Sequence, residues 1–432
     1  MNKSRIFSRL MLLAFVLFFG YACQSDDFIV EAPPTDEVTT TDLQELDYTT
    51  LKQIESHLES QGYDISEVQI DANDPDLKAG AMELFVRVVK VSCKTDHPND
   101  SGQKIDLSGV MIVPKMSLLT RLTNHRLVVV PPPTYTANSQ APSVALTNSL
   151  SLLDPANNPL SYLSLLALKG FIVIIPDYPG YGDSFNQCFH PYLKASSLVN
   201  STIDFIGASQ EALKKMGYKY KSKISVGGYS QGGFVASSLV RELETNTSHN
   251  IKVNALIAGG TPCNLKQIAD LVRTSETTRH TYYLPYAFLG YKLNGYPQID
   301  ESIVFKEPYL SKIPSVFDGY NTDPNDEFPT KVADLYTKAF LNDFDTDPRF
   351  TLVNDLLDQN SLKPWSNSCK FVLIHSIQDD SVYYINAKDY AKAHKAAGGK
   401  VDFYNILGTH TVAAVGYFPL AATLLKKYDI LY

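Results

Sequence analysis

From Arg126 onward, short continuous apolar runs alternate with longer stretches at helical spacing. "RLVVVPPP", "FIVIIP", "KISVGGYS", "VNALIAGG", "KFVLIHS" and "VDFYNILG" read as strands. The first five are uninterrupted by polar residues for several positions, as in strands buried on both faces. Between them lie helix-capable segments such as "SLVNSTIDFIGASQEALKKMGY" and "NAKDYAKAHKAAGG". Strand–helix alternation of this kind predicts an α/β fold, a mostly parallel sheet flanked by helices on both faces. Upstream, "MELFVRVVKVSCKT" and "KIDLSGVMIVPK" flank the turn-rich "DHPNDSGQ" and predict an antiparallel pair at a sheet edge.

One segment breaks the rhythm. Residues 265–364 separate two of the strands and contain "TRHTYYLPYAFLGYKLNGYP" and "TKVADLYTKAFLNDF", both aromatic-rich and helix-capable. The segment is too long for a structureless loop and too poor in strands for a second α/β unit. A mainly helical cap insertion is expected there, within an α/β domain made of residues 51–264 and 365–432.

The N-terminus is expected to lie outside the fold. Lys3, Arg5 and Arg9 precede a short apolar stretch, followed by small residues, so residues 1–22 read as a signal peptide. The stretch "GYAC" is similar to the lipobox of bacterial lipoproteins, with Gly20 where leucine is usual. That resemblance implies lipidation of Cys23 and a membrane anchor rather than a span. The acidic "QSDD" behind it resembles the surface-export signals of some outer-membrane lipoproteins. Residues 23–50 are polar and aperiodic and read as a lipid-anchored tether. An exported protein at the outer membrane or cell surface is expected; a secreted one with an incidental cysteine is the alternative.

The chain carries a formal charge of −8 and no basic run, which argues against nucleic acid as a partner. Cys93, Cys188, Cys263 and Cys369 match no zinc spacing, and their pairing is open. The acidic segments 323–328 and 342–350 lack calcium-loop spacing and read as solvated turns. No metal and no cofactor is expected.

Chemistry concentrates in "KISVGGYSQGGFVASS", residues 223–238. Gly228-Tyr229-Ser230-Gln231-Gly232 has the form G-x-S-x-G between a buried-type strand and a small-residue helix. A sharp strand-to-helix turn forces its central residue into a strained conformation, and residues two before and two after must be small. Such a turn lifts Ser230 above the sheet edge. It sets the N–H of Gln231 at a helix N-terminus, where negative charge is stabilised. Gly227 and Gly233 are expected to allow close packing of strand and helix. The glycine-bearing "DYPGYGDS" at residues 177–184 lacks the Lys-Ser/Thr of a phosphate loop and reads as a tight turn beside the nucleophile.

These residues, with "SGVMIVP", "APS" at 141–143, "HPYL" at 190–193 and "FKEPYLSKIP", resemble the α/β-hydrolase superfamily. Within it they resemble the secretory lipase family and related bacterial esterases, from about residue 85 to the C-terminus. The resemblance implies a triad in the chain order serine, acid, histidine, with Ser230 as nucleophile. "HSIQDDSV" is similar to the pattern H-G-x-x-D-x-x-V, with Ser376 in place of glycine. This makes Asp379 the acid and Asp380 its neighbouring alternative. His410 follows the last strand, and of the nine histidines no other does. His375 is expected to orient the acid loop, His190 to pack or hydrogen-bond beneath the site, and His280 and His394 to be solvated or cap residues. An oxyanion hole needs two donors. Gln231 N–H is one; relatives supply the second from a His-Gly-Thr, where this chain has "PPTY". Proline has no N–H, so Thr134 or Tyr135, or a side chain of that loop, must supply it.

A serine carboxylic-ester hydrolase working through an acyl-enzyme is therefore expected, acting on a small-molecule or lipid ester. The same triad could serve a peptidase or an acyltransferase. A surface lipoprotein that binds without chemistry is a third reading, and a complete triad argues against it.

Overall fold

The computed structural model describes residues 37–66, 68–69, 86–147 and 161–431. The leader and Cys23 lie outside them. Nine strands form one sheet: β1 (Thr39–Leu46), β2 (Val86–Asp96), β3 (Lys104–Pro114), β4 (Asn124–Val129), β5 (Phe171–Pro176), β6 (Lys219–Tyr229), β7 (Lys252–Gly259), β8 (Lys370–Ser376) and β9 (Asp402–Ile406). Their order is β1-β2-β3-β5-β4-β6-β7-β8-β9. The first three pairings in that order are antiparallel and the other five parallel.

The main helices are α1 (Tyr48–Ser60), α2 (Ala195–Lys215), α3 (Gln231–Thr245), α4 (Leu265–Thr274), α5 (Tyr283–Leu293), α6 (Thr351–Asn360), α7 (Tyr384–Ala396) and α8 (His410–Leu431). The central strands have apolar residues on both faces because both faces are covered. Leu127, Val129, Ile172 and Ile174 pack with Leu198 and Phe205 of α2 and Phe234 of α3. Val128, Val173 and Ile175 face the other way, onto Leu163, Leu166 and Tyr417 and Leu425 of α8. β5 is buried at all of its positions, as its uninterrupted apolar run requires.

The tether expectation is corrected at its C-terminal end. Residues 39–46 are a strand hydrogen-bonded antiparallel to β2, so β1 rather than the β2–β3 pair forms that edge of the sheet. Only Leu46 of β1 is fully buried. The pairing is carried by backbone hydrogen bonds and leaves polar side chains exposed, as suits an edge strand.

Between β7 and β8 the chain is helical, with the short helices Tyr309–Val316 and Lys338–Asp343 besides α4, α5 and α6. Tyr286, Phe288, Phe305, Tyr336, Phe340 and Phe350 are buried and belong to the same apolar cluster as the α2–α3 face of the sheet. The insertion thus shares the core of the α/β unit rather than building a second one.

The loops after β4, β6, β8 and β9 all leave the carboxyl edge of the parallel strands. β4 lies between β5 and β6, so the chain's winding direction changes there. A crevice at the carboxyl edge beside such a point is where open α/β sheets bind ligands.

Candidate active site

β6 ends at Tyr229 and α3 begins at Gln231, so a single residue makes the turn. Ser230 has φ 58° and ψ −122°, a region sparsely populated by non-glycine residues. Its N–H donates to Gly259 O at 2.8 Å and its carbonyl accepts from Phe234 N at 3.0 Å, which hold the turn from both sides. The neighbouring glycines are spatial necessities. A Cβ on Gly232 would stand 2.2 Å from Pro131 O, one on Gly228 2.3 Å from Gly232 O, and one on Gly233 2.4 Å from Thr261 Oγ1. Gly227 differs from the expectation: a Cβ there would meet nothing nearer than 3.5 Å.

The Ser230 hydroxyl donates to His410 Nε2 at 2.8 Å, and His410 Nδ1–H donates to Asp379 Oδ2 at 2.7 Å. The second oxygen of Asp379 accepts from the backbone N–H groups of Ser381 and Val382, at 3.0 and 2.8 Å. The carboxylate is therefore fully hydrogen-bonded although its side chain is wholly buried. Asp380 turns elsewhere. Its Oδ1 accepts from His410 N at 3.0 Å and its Oδ2 from Arg279 Nη1 at 3.0 Å. It anchors the backbone of His410, while its neighbour meets the ring. Tyr229 OH donates to His410 O at 2.6 Å, and Ser376 Oγ donates to Gly408 O at 2.5 Å, so the histidine loop is tied to β6 and β8.

His375 is buried and its Nε2–H donates to Val382 O at 2.7 Å, bracing the acid loop. Burial lowers its pKa, which favours the neutral ring.

Gln231 supplies an N–H from the first turn of α3, where no carbonyl four residues back serves it. Its side chain is held by a residue distant in sequence. Pro179 O lies 3.0 Å from His190 Nδ1, so that nitrogen bears the proton; Nε2 is then free to accept from Gln231 Nε2 at 2.9 Å. Burial pushes His190 down to about 3, which keeps it neutral and its tautomer fixed. Tyr178, Tyr181, Tyr192 and Tyr286 surround the ring at 5.2–6.0 Å between centroids. The role of the 177–184 turn follows: its Pro179 carbonyl holds His190, which holds Gln231, the residue next to Ser230. Asp177, at its start, is buried and accepts from Ser108 Oγ at 2.5 Å and Ser143 N at 2.9 Å, tying the turn to β3 and the 141–143 segment. No sequence pattern announces the His190–Gln231 pairing; the "HPYL" motif was its only trace.

The proline loop after β4 is pinned by its carbonyls. Pro132 O accepts from Tyr178 OH at 2.6 Å, and Tyr178 N donates to Tyr135 OH at 3.0 Å. The backbone N–H groups of Thr134 and Tyr135 donate to no acceptor among the described residues. Both residues line the same cavity as Ser230 and His410. The Thr134 hydroxyl lies 3.2 Å from Tyr192 OH.

One expectation away from the centre changes. His394 is neither solvated nor a cap residue. It is buried against Trp365 and Phe371, with Nε2 3.1 Å from Asn367 Oδ1. His280 sits in the insertion and lines the Ser230 cavity, hydrogen-bonded through Nδ1 to Asn325 Oδ1 at 2.5 Å. Cys93, Cys188, Cys263 and Cys369 are free thiols.

This geometry can be set beside known proteins. Residues 157–311 match the secretory lipase family. A crystal structure from Legionella pneumophila is similar with a TM-score of 0.73, at 20% identity over 90% of this chain and 97% of that one. The rice cell wall degrading esterase LipA from Xanthomonas oryzae is similar with a TM-score of 0.67, at 24% identity over 91% and 95%. Candida antarctica lipase A follows with a TM-score of 0.57, at 15% identity over 75% and 73%. No curated protein sequence matches. The chain has the α/β-hydrolase fold and is a lipase- or esterase-type hydrolase.

Two measurements test how the site is held. Gly227→Ala is expected to fold and retain activity, whereas Gly232→Ala is expected to lose soluble, active protein, because a β-carbon must displace backbone at Pro131. Circular dichroism and ester turnover on both variants read the contrast. For His190, the unfolded ring binds a proton near its ordinary value of 6.5 and the folded one only near 3. Stability from this residue is therefore present above pH ~6.5 and is lost as pH falls toward 3. The stability gap between wild type and His190→Gln in urea melts is expected to narrow between pH 7 and pH 4.5; a gap independent of pH would refute a neutral buried ring.

Proposed function

We propose that the protein hydrolyses carboxylic esters through an acyl-enzyme, with Ser230 as nucleophile, His410 as base and Asp379 as the acid of the triad. The observation that carries this reading is the unbroken hydrogen-bond chain Ser230–His410–Asp379 at a strained strand-to-helix turn facing a cavity. Ser230 Oγ attacks the ester carbon while its proton passes to His410 Nε2. Asp379 holds the Nδ1–H tautomer and stabilises the imidazolium. Gln231 N–H and the N–H of Thr134 or Tyr135 receive the oxyanion. The carbon–oxygen bond to the alcohol breaks and the alcohol leaves with the proton from His410. Water then attacks the acyl carbon, its proton goes to His410 and returns to Ser230 Oγ, and the acid departs.

Among the described residues that line the cavities at Ser230, none is acidic. An aminopeptidase needs negative charge there for the substrate's ammonium, so the lining favours an ester. An acyltransferase would use the same steps with an alcohol in place of water. Residues 265–364 act in this reading as a cap, whose Tyr282 and Tyr283 line the cavity at Ser230 and shield the acyl group. The leader and Cys23 deliver the enzyme as an exported lipoprotein anchored at the outer membrane or cell surface. Among the described residues no helix is long and apolar enough to cross a membrane.

Ser230→Ala is expected to abolish hydrolysis of p-nitrophenyl acetate and labelling by a fluorophosphonate, with the fold retained. Asp379→Asn is expected to lower kcat by several orders of magnitude, on the order of 10⁴, and Asp380→Asn by far less. Full turnover in Ser230→Ala, or the reverse ranking of the two aspartates, would overturn the assignment. Cys23→Ser is expected to move the protein from the membrane fraction to the soluble exported fraction; an unchanged distribution would refute the anchor.

A further inference from the structure

Two cavities among the described residues meet at Ser230, and they differ in kind. One has a volume of about 440 Å³ and reaches solvent past Thr411 and the exposed Val412. Its lining mixes aromatic side chains with Thr134, Gln140, His280 and Asn325. The other has a volume of about 40 Å³ and no exposed residue in its wall. Leu265, Leu284, Ala287, Leu357 and Val382 make most of that wall apolar, and all five are buried. Ser230 and Tyr283 are the residues common to both linings. Tyr283, between Tyr282 and Tyr192, is the partition.

The chemistry assigns the two sides of the ester. His410 lines the large cavity and is absent from the lining of the small one. It must hand its proton to the departing alcohol and then take one from water. Both events need the open side. The acyl group, which stays on Ser230 between them, is left with the closed side. An apolar cavity of about 150 Å³ takes a benzene ring, roughly 25 Å³ per carbon. A volume of about 40 Å³ then takes roughly two carbons beyond the reacting centre.

Resting on the ester-hydrolase reading above, we propose that this enzyme acts on short-chain esters, with acyl groups of roughly two to three carbons. Tyr283 and Ala287 set the limit on the acyl side, and the open cavity accepts a bulky alcohol with both apolar and hydrogen-bonding surface. The substrate is thus asymmetric: a small acid on a large alcohol, rather than a long-chain acylglycerol.

The test is a series of p-nitrophenyl acetate, butyrate, octanoate and laurate on the full-length protein, with fluorophosphonate labelling of Ser230 in parallel. The kcat/KM for acetate or butyrate is expected to exceed that for octanoate by at least about ten-fold. Ala287→Leu, which fills the small cavity, is expected to lower butyrate turnover at least about ten-fold more than acetate turnover. Tyr283→Ala, which joins the cavities, is expected to raise octanoate relative to butyrate. A wild-type preference for octanoate or laurate, with Ser230 labelled, overturns the chain-length inference and leaves ester hydrolysis standing. Equal losses on acetate and butyrate in folded Ala287→Leu also overturn it. Absence of both labelling and turnover defeats the ester-hydrolase reading itself, and the inference with it.

Discussion

Ser230 sits at φ 58° and ψ −122°, a conformation worth about 1–3 kcal/mol of strain that persists only where the surroundings over-determine it. Here they do so from three directions. The end of β7 accepts the Ser230 N–H, the first turn of α3 closes on its carbonyl, and the loop after β4 lies against Gly232 with no room for a side chain. These three contacts tie β6 to both neighbours in the sheet, β4 and β7. The position of Ser230 is therefore a property of the central sheet and not of a flexible loop. A proline-rich segment after β4 fits that task, because its carbonyls can be pinned while its lost N–H groups were not needed for pairing.

Around that fixed point the site is built from buried polar groups, four of whose six partners are backbone. Asp379 is fully hydrogen-bonded by two N–H groups and one imidazole, His375 by a carbonyl, His190 by a carbonyl and an amide. Backbone partners do not change rotamer, so each ring and carboxylate has one orientation. The arrangement also couples distant segments. The turn at residues 177–184 fixes His190, and His190 fixes Gln231. In the same way Arg279 of the insertion reaches Asp380, which holds the backbone of His410. The insertion is thus joined to the histidine loop by charge and to the sheet by a common apolar core.

What could be read in the sequence follows from what each feature's signal depends on. The order of Ser230, Asp379 and His410 was legible because each lies just after a strand that could be read, the first two after uninterrupted apolar runs and His410 after the more polar β9. The choice of Asp379 over Asp380 rested on a spacing pattern, and the two carboxylates do diverge, one to the ring and one to the backbone. β1 was not legible: "TTTDLQEL" buries a single leucine, and edge pairing through backbone leaves no apolar alternation to find. His394 was misread because its helix is polar along most of its length, and only tertiary packing puts Trp365 and Phe371 beside it. Gly227 and Gly233 look alike in sequence. Only the nearby Thr261 hydroxyl and Gly259 carbonyl make the second a necessity.

Three buried histidines stand within the site, and access and commitment, not intrinsic chemistry, separate them. His190 has both nitrogens engaged and is closed off by tyrosines. It has neither an acceptor site to spare nor a path for a proton. His375 spends its one N–H on the Val382 carbonyl, beside an acid whose lone pairs are already taken. His410 alone has one nitrogen bound to a carboxylate, the other to a hydroxyl, and a place in the wall of the cavity that opens to water. A base must exchange protons with substrate and solvent twice per turnover, and of the three rings only His410 has both connections.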